Sequence, residues 1–339
     1  MNKIYITALI VLAASCSQMD NLQPQGGIIL EQQLKEVNAM VPSRADASFN
    51  GMFTKLGAPG SVTGGTRPDD FGFIMMAFSN DIEAADIVLA NSGYNWFSAC
   101  GLLTSRNADY ANPYIRYAAP YNTIAAANNV LNSYSEDSED QTVIYKLAQA
   151  RAIRAFAYLN LAPYFQFGYA AGAQDKPCVP IVTEETTDFT DNPRATVAEV
   201  YELIISDLDY AIENLEGYVR TDKSRIDIQT AYGLRARAYL NMQEWALAAA
   251  DAAKAAEGYA PASMEEVAKP FLYSISEHNW IWGYDMTSDI AMQSPYATSS
   301  AWIRSFPETV ILPALRYIPA STICFMRRFR KATCERDGG

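Results

Sequence analysis

Apolar residues recur at helical spacing most clearly in the middle of the chain. Val197, Val200, Tyr201, Ile204, Leu208, Ala211, Ile212 and Leu215 fall on one stripe of a 3.6-residue period. That stripe has a start and a stop. Thr196 with Glu199 three positions on is a capping box: the Thr side chain accepts from a free helical N–H, and the Glu reaches back to the Thr N–H. Gly217 supplies a residue that ends a helix at no steric cost. A second stripe, Ile144, Leu147, Ala148, Ala155, Tyr158, Leu159 and Ala162, predicts a helix over 143–162 ending at Pro163. Two more helices are expected over 228–241 and 244–257, linked by 242–243 and closed by Gly258.

The last pair resembles a tetratricopeptide hairpin. Ala236, Ala238, Tyr239 and Leu240 end its first helix, and Trp245, Ala249, Ala252, Ala253 and Ala256 follow on the second, small residues where two helices pack closely. So short a link makes the two antiparallel. A lone hairpin cannot bury both faces, so the upstream helices are expected to supply neighbouring repeats. Towards the N-terminus the pattern weakens. Helices are expected over 28–41, 71–89 and 112–132, the last rich in Ala and Tyr, with a Gly/Pro-rich loop over 57–70 and an acidic loop over 133–140. Beyond Pro261 the sequence turns aromatic and irregular. The expected fold class is all-α: a tetratricopeptide-like helical repeat scaffold with an irregular, loop-rich capping region.

The two ends follow other rules. Lys3 precedes an apolar run over 4–14, too short for a membrane-spanning helix and of the length of a secretory signal. Ala13, Ala14 and Ser15 directly before Cys16 resemble a bacterial lipobox, at which Cys16 is acylated and becomes the mature N-terminus. Residues 1–15 are thus expected to be a lipoprotein signal peptide and 16–32 a polar tether. Ser17 rather than Asp after the Cys favours the outer membrane. No later segment reaches 18 uninterrupted apolar residues, so the expectation is a lipid-anchored chain rather than a membrane-spanning one.

Charge sharpens the far end. The 339 residues carry 38 acidic and 26 basic side chains, a formal net charge of −12. Such a balance argues against nucleic acid as a partner, since phosphate binding needs a basic surface. Residues 316–339 nevertheless hold six basic side chains against two acidic ones. The expected layout is a helical domain over 33–315 and a discordant basic tail over 316–339.

The search for catalytic chemistry returns little. His278 is the only histidine, which excludes a His-based metal cage and leaves any Ser or Cys nucleophile one imidazole base. The sequence has no GxSxG, GxGxxG, GxxxxGK or HExxH motif, so no cofactor and no metal are expected. Residues 60–66 are rich in Gly, Ser and Thr but lack a Lys, and read as a surface loop. Asp81, Glu83 and Asp86 form the tightest acidic group. On a helix Asp81 and Asp86 stand about 140° apart, which suits a solvated face or structural hydrogen bonding better than a catalytic pair. Cys100 and Cys178 are isolated, and sequence alone does not establish a bridge between them.

Two aromatic clusters stand out. Tyr94, Asn95 and Trp96, followed by Phe97, lie between Gly93 and Gly101. Asn279, Trp280, Ile281, Trp282, Gly283, Tyr284 and Asp285 form the second, with Tyr296 and Trp302 beyond. Aromatic rings with amides and carboxylates nearby suit carbohydrate, since the ring stacks on apolar C–H faces while the polar group bonds hydroxyls. The competing role is that each ring plugs the core and ties a loop to the scaffold. Tyr94, Asn95, Trp96, Trp280, Trp282, Tyr284 and Tyr296 are the candidate ligand residues.

Seven blocks in order resemble the SusD/RagB family of nutrient-binding outer-membrane lipoproteins. They are the Cys16 lipobox; Asp70-Phe71-Gly72-Phe73 with Asp81 to Asp86 and Gly93 to Phe97; the run 150–158 with Phe165 and Gly168; Val179-Pro180-Ile181-Val182; Thr196 to Tyr201 with Asp207-Leu208; 225–239 with Trp245; and 277–285. The resemblance implies a helical repeat scaffold and a partner, a SusC-like TonB-dependent transporter over which the lipoprotein closes as a lid. It implies a glycan or sometimes a peptide as ligand, attachment to the outer membrane through the lipid anchor with exposure at the cell surface, and no catalysis. Family members usually run longer, and 316–339 matches nothing in the family, so that tail is expected to mark a truncated or frameshifted end. The expected function is capture of oligo- or polysaccharide and its delivery to the transporter. The alternatives are a pure interaction partner of the transporter with no ligand site, and, further off, a glycoside hydrolase.

Overall fold

The structure, a computed structural model, describes residues 37, 41–64, 69–84, 97–186, 190–268 and 278–284. Its contacts divide the chain into two units, Met1–Ala45 and Asp46–Gly339. In the described part of the first, the Val41 N–H donates to the Val37 carbonyl and the Arg44 N–H to the Val41 carbonyl, so the backbone is already turning as helix. The architecture that follows lies in the second unit, apart from residues 42–45, which begin its first helix.

The described helices are α1 (Pro42–Thr54), α2 (Gly72–Glu83), the single turn α3 (Ser98–Gly101), α4 (Ala111–Ser133), α5 (Gln141–Phe165), α6 (Val197–Asn214), α7 (Ile228–Met242), α8 (Trp245–Ala255) and α9 (Met264–Ala268). Two short strands, β1 (Pro177–Pro180) and β2 (Arg194–Thr196), pair antiparallel with Pro177 opposite Thr196 and Pro180 opposite Arg194. From α4 to α8 each helix packs on the next in sequence, which is the helical repeat arrangement. The fold is all-α.

Helix α6 follows its sequence pattern closely. Glu199 N–H donates to Thr196 Oγ1 at 3.2 Å and Thr196 N–H to Glu199 Oε2 at 2.7 Å, closing the capping box. Val200, Ile204, Leu208 and Ala211 are fully buried. Gly217 stands at φ +77°, the left-handed conformation its position predicts.

Helix α5 is the centre of the molecule, and it is buried around most of its circumference. Ala148, Ala150, Ala152, Ala155 and Ala157 are fully buried, so small side chains on several faces let neighbouring helices approach closely. A helix buried on many faces shows little amphipathic stripe, which is why α5 is broader than its predicted face. It also runs past its expected end. Pro163 lies inside the last turn and the helix stops at Phe165, with the Gln166 N–H donating to the Ala162 carbonyl at 3.3 Å. A proline there forfeits one N–H to Leu159 without ending the turn. Pro120 is carried inside α4 in the same way.

Three further differences have local causes. In α8 the buried side chains are Ala248, Asp251 and Ala255, whereas Ala249, Ala252, Ala253 and Ala256 are exposed and Trp245 is 60% exposed. Seven of the eleven residues of α8 are alanine, which gives periodicity little to discriminate, and the buried face lies one position from the expected one. Helix α1 lies where no helix was expected; Phe49, Met52 and Phe53 bury one face of it, and Leu56 follows in the turn beyond. The helix expected over 28–41 lies outside the described residues save Val37 and Val41. Helix α2 is described to Glu83, short of the expected 89. Gly72 at its start has φ +58°, and a Cβ there would lie 2.7 Å from the Leu56 carbonyl oxygen, so only glycine fits.

Cys100 and Cys178 are free, buried thiols, and burial pushes both above the ordinary thiol value. The Asn112 amide donates to Cys100 Sγ at 3.4 Å. Among the described residues no helix is long and apolar enough to cross a membrane.

Candidate functional site

Of the candidate ligand residues, Trp280, Trp282 and Tyr284 are described; Tyr94, Asn95, Trp96 and Tyr296 lie outside the described residues, as does Cys16. The segment 278–284 carries no regular structure and is fixed by its backbone. The Gly283 N–H donates to the Lys223 carbonyl at 3.1 Å, and the Ile281 carbonyl accepts from Arg220 Nη2 at 2.6 Å. Arg220 is a hub. Its Nε pairs with Asp227 Oδ2 at 2.9 Å, Nη1 donates to the Arg225 carbonyl at 3.2 Å, and Nη2 also bonds the Tyr259 hydroxyl. Asp227 is the N-cap of α7, accepting from the Thr230 N–H at 2.9 Å. The candidate segment is therefore tied to the start of the repeat hairpin.

The three aromatic rings fall into two roles. Trp282 turns inward: its ring meets Phe156 edge-on at 5.1 Å and its Nε1 donates to the Ser224 carbonyl at 3.0 Å. Tyr284 also packs against the core, so close to Gly57 that a Cβ there would lie 2.6 Å from its Cε1. Trp280 is half-buried and lies over Gly283, where a Cβ would come within 3.2 Å of the indole. Neighbouring Asn279 presents an amide, with its Oδ1 buried and lacking a hydrogen-bond partner among the described residues.

The charged residues of the sequence blocks are tied up in packing. Arg154, 2% exposed, donates from Nε and Nη2 to the two carboxylate oxygens of fully buried Asp207 at 2.7 and 2.8 Å, and from Nη1 to Asn128 Oδ1 at 3.0 Å. Glu184 pairs with the same guanidinium, and Arg151 Nη1 stands 3.5 Å from Asp207. Burial pushes the Asp207 carboxyl up, against the opposing pull of Arg154. Burial also raises Glu184, but Arg154 outweighs it and holds that carboxyl below its ordinary value. Glu83, from the acidic group of α2, accepts a bidentate pair from Arg116 at 2.7 and 3.1 Å and a further bond from Ser105. Asp81 is exposed and Asp86 lies outside the described residues. Among the described residues no cluster of His, Cys, Asp and Glu can hold a metal ion.

Two open grooves border the repeats. One of about 590 Å³ lies along β2 and the first turns of α6, lined by Asn192, Arg194, Glu199, Glu202, Leu203 and Ser206 among others. Another of about 350 Å³ has a Gly/Ala floor at Gly168, Ala170 and Ala171 and polar groups from Tyr201, Asn241 and Gln243. Neither was visible in the sequence, because each joins residues of separate segments that only the packed fold brings together. At the N-cap of α4 and on its first turns, Tyr110, Tyr114 and Tyr117 stand exposed at four- and three-residue spacing, a stripe that the sequence did contain.

The helical body finds its counterparts among known proteins. Residues 75–240 match the SusD-like family described as starch-binding, associating with outer membrane. A SusD-like protein of Bacteroides ovatus is 27% identical over 128 residues, which are 37% of this chain and 22% of that protein. The solved SusD-like carbohydrate binding protein from Bacteroides vulgatus superposes with a TM-score of 0.64 at 27% identity, over 73% of this chain and 51% of that one. A SusD superfamily protein from Bacteroides thetaiotaomicron gives a TM-score of 0.54 at 24% identity, covering 68% and 50% of the two chains, and shows the shared fold. The chain thus spans about half the length of the solved proteins it matches. With the capping box, the Arg154–Asp207 pair and most of helix α7 inside the matched region, the helical body carries the pattern of the SusD/RagB family.

Proposed function

We propose that the chain is a cell-surface lipoprotein that binds nutrient glycans and passes them to a SusC-like TonB-dependent transporter, without catalysis of its own. The observation that carries this reading is the superposition of the helical body on the carbohydrate binding protein of Bacteroides vulgatus. The family description supports an outer-membrane address. The small residues before Cys16 support lipid attachment at that thiol, with 1–15 as signal, 16–32 as tether, 33–315 as the helical domain and 316–339 as a basic tail. The ligand candidates are Tyr94, Asn95, Trp96, Trp280, Trp282, Tyr284 and Tyr296.

Within that set the described rings divide the labour. Trp280, with Asn279 beside it, has the ring and the amide that sugar recognition needs. Trp282 and Tyr284 serve it from beneath by holding the segment on the core. Polysaccharide affinity gels with the full chain test the reading. Trp96→Ala and Trp280→Ala are expected to release the protein with the fold intact, whereas Trp282→Ala is expected to lower stability as well. Absence of retention on any neutral or charged glycan, or turnover of the glycan by the purified chain, sinks it.

A further inference from the structure

Helix α4 opens with an aromatic face that the proposed ligand site does not use. Tyr110, Tyr114 and Tyr117 are 45%, 59% and 38% exposed. Tyr110 is the N-cap of α4 and Tyr114 and Tyr117 follow on the helix, where 1.5 Å and 100° per residue set those two about 60° apart, the three together spanning about 10 Å. Rings at such positions are neighbours on the helix surface. The lowest of them is held in place: Tyr117 meets Phe165 edge-on at 5.2 Å and Tyr121 at 4.8 Å. Tyr121 in turn donates its hydroxyl to the Pro180 carbonyl at 2.6 Å, so the ladder stands on the α5 end and β1.

Charge says what such a face accepts. Over 110–126 the only ionisable side chain besides tyrosine is Arg116, which is buried and paired with Glu83, and the exposed Arg106 and Asp109 just ahead of Tyr110 carry opposite charges. In a chain of net charge −12, a stretch of surface offering rings and phenol hydroxyls without formal charge matches an uncharged, hydroxyl-rich ligand. An anionic polymer finds no net positive charge there, since Arg106 is offset by Asp109. A polyhydroxylated chain finds ring faces for its C–H surfaces and hydroxyls for its own.

We propose that Tyr110, Tyr114 and Tyr117 form an aromatic track along which an uncharged polysaccharide lies. The inference rests on the glycan-binding reading above and adds to it a second contact and a charge class. Several weak contacts in series raise retention on long chains far more than on short ones.

The test is native affinity electrophoresis of the full chain in gels containing starch, a neutral β-glucan, mannan, xylan or anionic pectin. Wild type is expected to be retarded by at least one neutral polymer. Tyr110→Ala with Tyr114→Ala is expected to weaken that retardation about five- to tenfold, while Tyr114→Trp keeps it. Circular dichroism checks the fold of the double variant, and should it fail to fold, Tyr114→Gln alone is read in the same way. Unchanged retardation of the double variant overturns the track; if Trp280→Ala still abolishes binding, the earlier reading survives. Retardation by pectin alone overturns the charge class. Loss of self-association in the double variant with glycan retention intact assigns the face to a second copy and overturns the track. No retardation of wild type by any polymer overturns both readings.

Discussion

At the scale of single residues, buried charge is what the helical body has to manage. Asp207 is fully buried and relies on Arg154, with Arg151 3.5 Å away. Removing one partner of such a pair strands the other charge in a poorly solvating interior. Arg154→Met is therefore expected to cost about 3 kcal/mol in urea unfolding, Arg151 taking over part of the charge, and the double change with Asp207→Leu to recover most of the loss. Glu83 gives a pH signature. Burial raises its carboxyl, but the Arg116 guanidinium and the Ser105 hydroxyl outweigh burial and set it below its ordinary value. A carboxyl lower in the folded than in the unfolded state adds stability above its unfolded value, and that share disappears as pH falls through the folded value. Unfolding free energy measured on the way down from neutral pH is expected to drop across the carboxylate range, and Glu83→Gln to flatten that limb. The sequence put Glu83 in an acidic group suited to structural bonding, but its partner Arg116 lies 33 residues on, a separation that no local pattern encodes.

At the scale of elements, legibility followed amphipathicity. Helix α6 has one apolar face, a capping box and a stop glycine, and each is in the sequence as it is in the structure. Thr196→Ala removes the side-chain acceptor for the Glu199 N–H and is expected to cost about 1 kcal/mol by thermal or urea unfolding, with no change in helix register. Helices α5 and α8 were harder to read for opposite reasons. One is buried on most faces, and seven of the eleven residues of the other are alanine. The link between α7 and α8 turns through Gln243 at φ +62°, a left-handed position without the glycine that usually marks one. The tyrosine stripe of α4 was legible as spacing, but only burial separates Tyr114 and Tyr117 on the surface from Tyr121 beneath them.

At the scale of the whole molecule, α4 to α8 are joined by neighbours in sequence, while the segment 278–284 is joined by residues far from it. Ile281 bonds Arg220 across 61 positions and Trp282 bonds Ser224 across 58. Arg220→Ala removes the Ile281 and Asp227 contacts together. Faster limited proteolysis within 278–284 and a red-shifted tryptophan emission are the expected outcomes, with the helical far-ultraviolet signal retained. Sequence reading found this segment through its tryptophans and left open whether they face ligand or core. That choice depends on Phe156 and Gly57, which no window of sequence around Trp282 or Tyr284 contains. The same geometry orders events in time. Helices that pack on their sequence neighbours close short loops and form early, whereas contacts between residues far apart in sequence wait on the closure of longer loops. A chain made from its N-terminus can thus fold its helical body as it emerges, and the aromatic segment locks down only after 278–284 has arrived.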